Sequence, residues 1–265
     1  MKNREQTFYV AGALILVAGL FLGLDTIPST QKTFEKSRAL NIQQFDITSL
    51  QSGAKEKLQK DEVNYIETLE SQVKFVSEDS AKIRLLKELS GSWFQLGNPL
   101  MAGIYAMQVA ELVQDAESWS IAGTTFAAAL ANPAIEEKNR LIARDQAIAA
   151  FESAISLEPD VIEHRVNQAL CYIETPDVNQ PMKGVQMLAA LATKYPESAL
   201  PPYHLARLAV KTGQMEKAEE RIEQALRLDS TNTRIACLAI DIYTSVQKPD
   251  QAGKLADLCA GKKQD

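Results

Sequence analysis

From Pro201 to Asn232 the chain reads PPYHLARLAVKTGQMEKAEERIEQALRLDSTN, and its small side chains recur at spacings that suit two helices nested against each other. Ala206 is followed seven residues later by Gly213, five after that by Ala218, and then by Ile222, Ala225 and Leu226. Two antiparallel helices can approach closely only where side chains are small, so Ala206, Ala218 and Ala225 mark the contact line. Leu205 and Ile222 fill the remaining space. Gly213 falls where the chain must reverse, and a left-handed backbone costs glycine little. The pattern sets helical periodicity over the whole segment, and no alternating strand pattern of any length competes with it elsewhere. The expected class is all-α.

The same frame extends in both directions. In the preceding segment Ala169, Gly184, Leu188 and Leu191 take the places of Ala206, Ala218, Ile222 and Ala225, with three extra residues in a loop at Thr175–Pro181. Further back, Trp119, Ala122, Gly123 and Phe126 match the first helix, and Ala147, Phe151, Ala154 and Leu157 the second. About a dozen extra residues intervene around Ala131–Ile142. Leu89, Trp93, Gly97, Ala102 and Ala106 fit a looser unit before that. Ala239, Tyr243, Ala252 and Ala256 fit a last one that runs out near Cys259. These offsets resemble the 34-residue tetratricopeptide repeat (TPR). The resemblance covers about 83–260 and is tightest in 162–232. It implies an α-solenoid of about four to five helix-turn-helix repeats, with residues 261–265 as a polar tail.

Such a stack curves, and the first helix of each repeat lines its concave face. The resemblance implies that this face binds a peptide or protein partner and that the fold brings no catalytic machinery of its own. Carried onto this sequence, the partner-binding positions are Val166, Leu170, Tyr203, Arg207, Lys211, Arg234 and Asp241, apolar at one end and basic at the other. The Lys/Asn set by which some TPR domains clamp a C-terminal carboxylate is not reproduced. Asn167 stands where one Asn would, but Val166 and Leu170 occupy positions that should be polar.

Ahead of the repeats, Thr7–Leu24 is an 18-residue run without a charge, preceded by Lys2 and Arg4. As a helix it would be roughly 27 Å long, close to a bilayer's hydrocarbon thickness. It has no Ala-x-Ala cleavage site and no following cysteine until Cys171, so an uncleaved signal anchor is expected over residues 1–27, with a cleaved signal and secretion as the alternative. Basic residues flank both sides, and the short basic tail favours an N-terminus inside. The expected location is then a single-pass membrane anchor with an exported domain, in a bacterium the inner membrane facing the periplasm. Such layouts resemble envelope TPR proteins that assist protein biogenesis, with a structural subunit of an envelope or secretion complex as the rival. Residues 28–82 read as a linker followed by an amphipathic helix, since Ile66, Leu69, Val73 and Val76 step 3, 4, 3 along one face.

Charge and chemistry narrow the function. The 28 basic against 34 acidic residues give a net charge of −6, which disfavours a nucleic-acid surface. Neither a phosphate-binding glycine loop nor a metalloprotease, serine-hydrolase or CxxC motif is present. No cofactor, metal or small-molecule substrate is expected. His164 and His204 each lie near the start of a first helix and read as packing or surface residues. Cys171, Cys237 and Cys259 read as small buried thiols, with a Cys237–Cys259 bond open because both belong to one unit.

Overall fold

The computed structural model describes residues 47–261 and forms only helices among them. All but the first two of these residues belong to one compact unit, Ser49–Asp265. The helices are α1 (Ile47–Lys55), α2 (Lys60–Phe75), α3 (Asp79–Gln95), α4 (Pro99–Val113), α5 (Ala116–Leu130), α6 (Glu137–Leu157), α7 (Ile162–Glu174), α8 (Lys183–Lys194), α9 (Leu200–Lys211), α10 (Met215–Leu228), α11 (Thr233–Ser245), α12 (Pro249–Lys254) and α13 (Ala256–Cys259). From α2 onward each packs on the next in sequence, and α5, α7, α9 and α11 also touch the first helix of the following or preceding hairpin. That is the contact pattern of hairpins stacked in series.

Three hairpins reverse by one and the same turn. At Gly97, Gly213 and Gln247 the backbone is left-handed, with φ of 75°, 72° and 58°. In each, the following N–H reaches back five residues, from Asn98 to Trp93 O, Gln214 to Ala209 O and Lys248 to Tyr243 O. The second helix starts two residues after the turn residue every time, at Pro99, Met215 and Pro249. This is a Schellman-type closure, and proline at the first helical position suits it because no N–H is wanted there. Where the repeat is stretched the turn differs. The extra residues near 131–142 become the short loop 131–136 plus additional turns on α6, which is 21 residues long against 15 for α5. Arg140 closes the end of α5, donating from Nη1 to Leu130 O and from Nη2 to Asn132 O.

Small residues let the helices meet. Ala206, Ala218 and Ala225 are all buried with Ile222, in a cluster that continues into Ala239, Ile242 and Tyr243. Ala169, Leu188 and Leu191 form the core of the preceding hairpin, against which Leu205 packs. At three glycines a side chain has no room. A Cβ on Gly103 would lie 2.5 Å from the Phe126 ring, one on Gly123 2.7 Å from the Phe151 ring, and one on Gly184 2.5 Å from Ala169 O. Phe126 and Phe151 are fully buried, each with its ring against a glycine of the helix before it.

The two ends are closed differently. At the N-terminal end two helices, α1 and α2, stand where the sequence led one to expect a linker and one amphipathic helix. A turn at 56–59 separates α1 from α2, which opens with the Gln59 N–H donating to Glu62 Oε2 at 2.8 Å. Ile66 and Leu69 are buried, as their spacing requires. The buried Tyr105 hydroxyl on α4 donates to Glu70 Oε1 (2.7 Å), while Gln51 Nε2 donates to it (3.0 Å). Lys55 Nζ holds the other Glu70 oxygen at 2.6 Å. This shared network joins α1, α2 and α4. At the C-terminal end the last hairpin's second helix is split into α12 and α13, and a Cys237–Cys259 disulfide ties α13 back to α11. Cys171 stays a buried free thiol.

The membrane-anchored, exported location is corrected. No helix among the described residues is long and apolar enough to cross a membrane. Thr7–Leu24, on which that expectation rested, lies outside the described residues.

Three perturbations probe this packing. Gly184→Ala forces a Cβ onto backbone and lowers unfolding free energy by about 1–3 kcal/mol in urea titration. Gln247→Gly relieves a left-handed side-chain residue and raises it by up to about 1 kcal/mol. Reducing Cys237–Cys259 opens a loop spanning 22 residues, and a cost of about 3 kcal/mol is expected in the same titration with and without reductant.

Candidate functional site

On three successive first helices the residue after the small contact residue lies on the helix flank. Thr124 follows Gly123, Leu170 follows Ala169 and Arg207 follows Ala206. An α-helix turns 100° per residue, so a position next to a buried one lies on the flank. The three side chains come together. They line a hollow of about 210 Å³ formed by α5, α6, α7 and α9, together with Ala127, Leu130, Phe151, Asn167, Cys171 and Glu174. Burial pushes the Cys171 thiol up to about 12, so it stays protonated and unreactive at neutral pH.

A second, more polar hollow of about 330 Å³ adjoins α9 on the α11 side. Tyr203, His204, Arg234 and Asn232 line it, together with Glu163, Glu197 and Asp229. Asn232 caps α11, accepting from the Arg234 and Ile235 N–H groups. Asp229 is taken up by the Thr231 and Asn232 side chains, the hydrogen bond from Asn232 foremost, and its carboxyl is held below the usual range. The Arg207 guanidinium lies 3.5 Å from His204 Nδ1 and 6.0 Å from the centre of the Tyr203 ring, so it connects the two hollows. His204 is pushed down to about 4, first by burial and then by the charges of Arg207 and Arg234. It is neutral at pH 7 and can accept a hydrogen bond from the guanidinium.

The seven expected positions divide. Leu170, Tyr203, Arg207 and Arg234 line one or other hollow. Lys211 is exposed and pairs across helices with Glu174 at 3.2 Å, so its charge is already answered. Asp241 is exposed on α11 and lines neither hollow. Val166 does not reach the face at all. It is 1% exposed and packs with Ala169, Leu188 and Leu191. On the helix it falls between Ala169 and Leu170, and the neighbouring helices close over it. Its apolar character therefore says nothing about the polarity of the groove, whereas that of Leu170 does. Thr124, Ala127, Leu130 and Phe151 were not among the expected positions. The same register counted one hairpin earlier, from Gly123, reaches Thr124. Among the described residues no group of three or more His, Cys, Asp or Glu side chains could hold a metal ion.

Comparison with known proteins is consistent with hairpins of this kind. The tetratricopeptide repeat family model matches residues 203–232, which take in most of α9 and all of α10. No curated protein matches the chain. Among solved structures, MamA from Desulfovibrio magneticus RS-1 is 18% identical, with a TM-score of 0.42 over 69% of this chain and 97% of that one. Yeast Tom70 is 15% identical, with a TM-score of 0.40 over 73% of this chain and 46% of that one.

The depressed His204 gives the fold an acid sensitivity of known sign. As pH falls below about 6.5 the unfolded chain takes the proton before the folded chain does, so stability drops between about 6.5 and 4 and is unaffected above. A loss of the order of 1 kcal/mol is expected in urea titration at pH 5 relative to pH 7, and His204→Gln removes most of it. Asp115 and Asp229, with carboxyls held low chiefly by hydrogen bonds from Ser118 and Asn232, act only further into acid.

Proposed function

We propose that the chain is a non-enzymatic interaction scaffold of the tetratricopeptide-repeat type, binding a peptide or protein partner on the face made by its first helices. One observation carries the reading. Thr124, Leu170 and Arg207 stand at one register on three successive hairpins and line a single hollow. Stacked hairpins repeat their exposed positions in space, which suits an extended chain whose side chains also repeat. The family match at 203–232 supports it, since that segment supplies Tyr203 and Arg207. The first hollow offers one thiol held protonated and the Glu174 carboxylate, which Lys211 engages, and the second a histidine held neutral beside Arg207. Such groups orient and discriminate more readily than they transfer protons.

A photoreactive residue placed at Leu170 captures the partner in intact cells, while one at the exposed Glu220 on α10 does not. A Leu170→Glu change lowers partner recovery by at least about tenfold, because a charge would enter the apolar half of the hollow. Capture of equal strength from both positions would refute the groove as the binding face.

A further inference from the structure

The last hairpin differs from the others in what holds it shut. A step of one repeat, 34 residues, carries Ala218, Ile222 and Ala225 of α10 onto Ala252, Ala256 and Cys259. The first three are all buried. Of the second three, Ala252 is buried, Ala256 is exposed, and Cys259 is half-buried and bonded to Cys237 of α11. Ala252 is the one buried residue of α12, and α13 has none. Leu255, between the two helices, is half-buried against the α9–α11 core. Helices of six and four residues hold too few hydrogen bonds to persist on their own. A covalent bond therefore stands at the place where α10 has a buried alanine. The preceding turn is held separately. The Lys248 N–H donates to Tyr243 O, and the Lys248 side chain pairs with Glu219 of α10. The stretch that depends on the bond begins after Lys248.

We infer that Cys237–Cys259 is a redox-operated clasp, whose reduction frees residues 249–261 from α11 while the hairpins before them keep their stack. The inference stands apart from the partner-binding reading. Both cysteines are half-buried, and Ala256, Asp257 and Ala260 around Cys259 are exposed, so a small dithiol can reach the bond. One thiolate of the dithiol attacks a cysteine sulfur, which forms a mixed disulfide and expels the other cysteine as a thiolate. The dithiol's second thiolate then displaces the first cysteine. Two electrons pass to the protein, the dithiol leaves as a disulfide, and the two protons it gives up reach the cysteines through water. With the bond open, only Ala252 and part of Leu255 anchor the segment, which places it at the low end of local stability. The earlier hairpins are closed by fully buried side chains such as Phe126, Phe151 and Ile222, which no thiol reagent touches. Cys171 takes no part, being buried and held protonated.

Hydrogen exchange read by mass spectrometry tests it on the full chain, before and after treatment with dithiothreitol under native conditions. Alkylation of denatured samples counts the thiols, with one expected before reduction and three after. Peptides covering 249–261 are expected to exchange at least about tenfold faster once the bond is open, and those covering 200–228 to stay within about twofold. Reduction should also make the peptide bond after Lys254 sensitive to trypsin, and reoxidation with oxidised glutathione should restore both protections. Combining Cys237→Ser with Cys259→Ser should give the released pattern without reductant and no response to it. The comparison of the unaltered chain in its two states decides the matter even if that variant fails to fold. Three thiols before reduction, or a bond that millimolar dithiothreitol leaves intact in the folded chain, overturns the inference. So does exchange in 249–261 that is the same in both states. Protection lost throughout α9–α11 along with it also overturns the clasp, and makes the bond a staple for the whole end of the stack.

Discussion

The stack depends on how closely two helix backbones can come. At Gly103, Gly123 and Gly184 the distance is set by the absence of a Cβ, with an aromatic ring or a carbonyl oxygen occupying the space. Dispersion and apolar burial reward such contacts only when no atoms are forced apart. Phe126 and Phe151 turn that constraint into a ladder. Each ring sits on a glycine of the helix before it, and Gly123 and Phe126 belong to the same helix. The spacing between hairpins and the room left on the flank for Thr124, Leu170 and Arg207 follow from it.

Much of this was legible in residue types. Ala206, Ala218, Ala225 and Ile222 are buried as their spacing implies, and Gly213 takes the left-handed turn expected of it. What was less legible has physical reasons. Gln247 makes the same turn as Gly97 and Gly213 with a residue whose side chain hides the signal. The break between α1 and α2 falls at 56–59, where no glycine or proline announces it. The insertion near 131–142 was visible as a count, but its conversion into extra turns of α6 depends on Arg140 closing α5.

The face itself shows the limit more sharply. Register alone placed Leu170, Arg207, Tyr203 and Arg234 on the lining of one hollow or the other, because exposed positions repeat from hairpin to hairpin. It misplaced Val166, whose burial depends on the neighbours that cover it. Nor could it separate Lys211 from Arg207. Both are basic and four residues apart, but Glu174, which lines the same hollow as Arg207, is within ion-pair distance only of Lys211. Which charge is free is a property of the stack, since the answering group comes from a different hairpin.

The disulfide at the C-terminal end has a topological effect. Helical hairpins joined by short turns are prone to trading their last element with a second molecule, since the intramolecular and intermolecular contacts are alike. Here the final segment is sewn to α11 through Cys237 and Cys259. While that covalent loop is closed, α12 and α13 cannot migrate to a sister chain, and each molecule keeps its own terminus as a permanent plug.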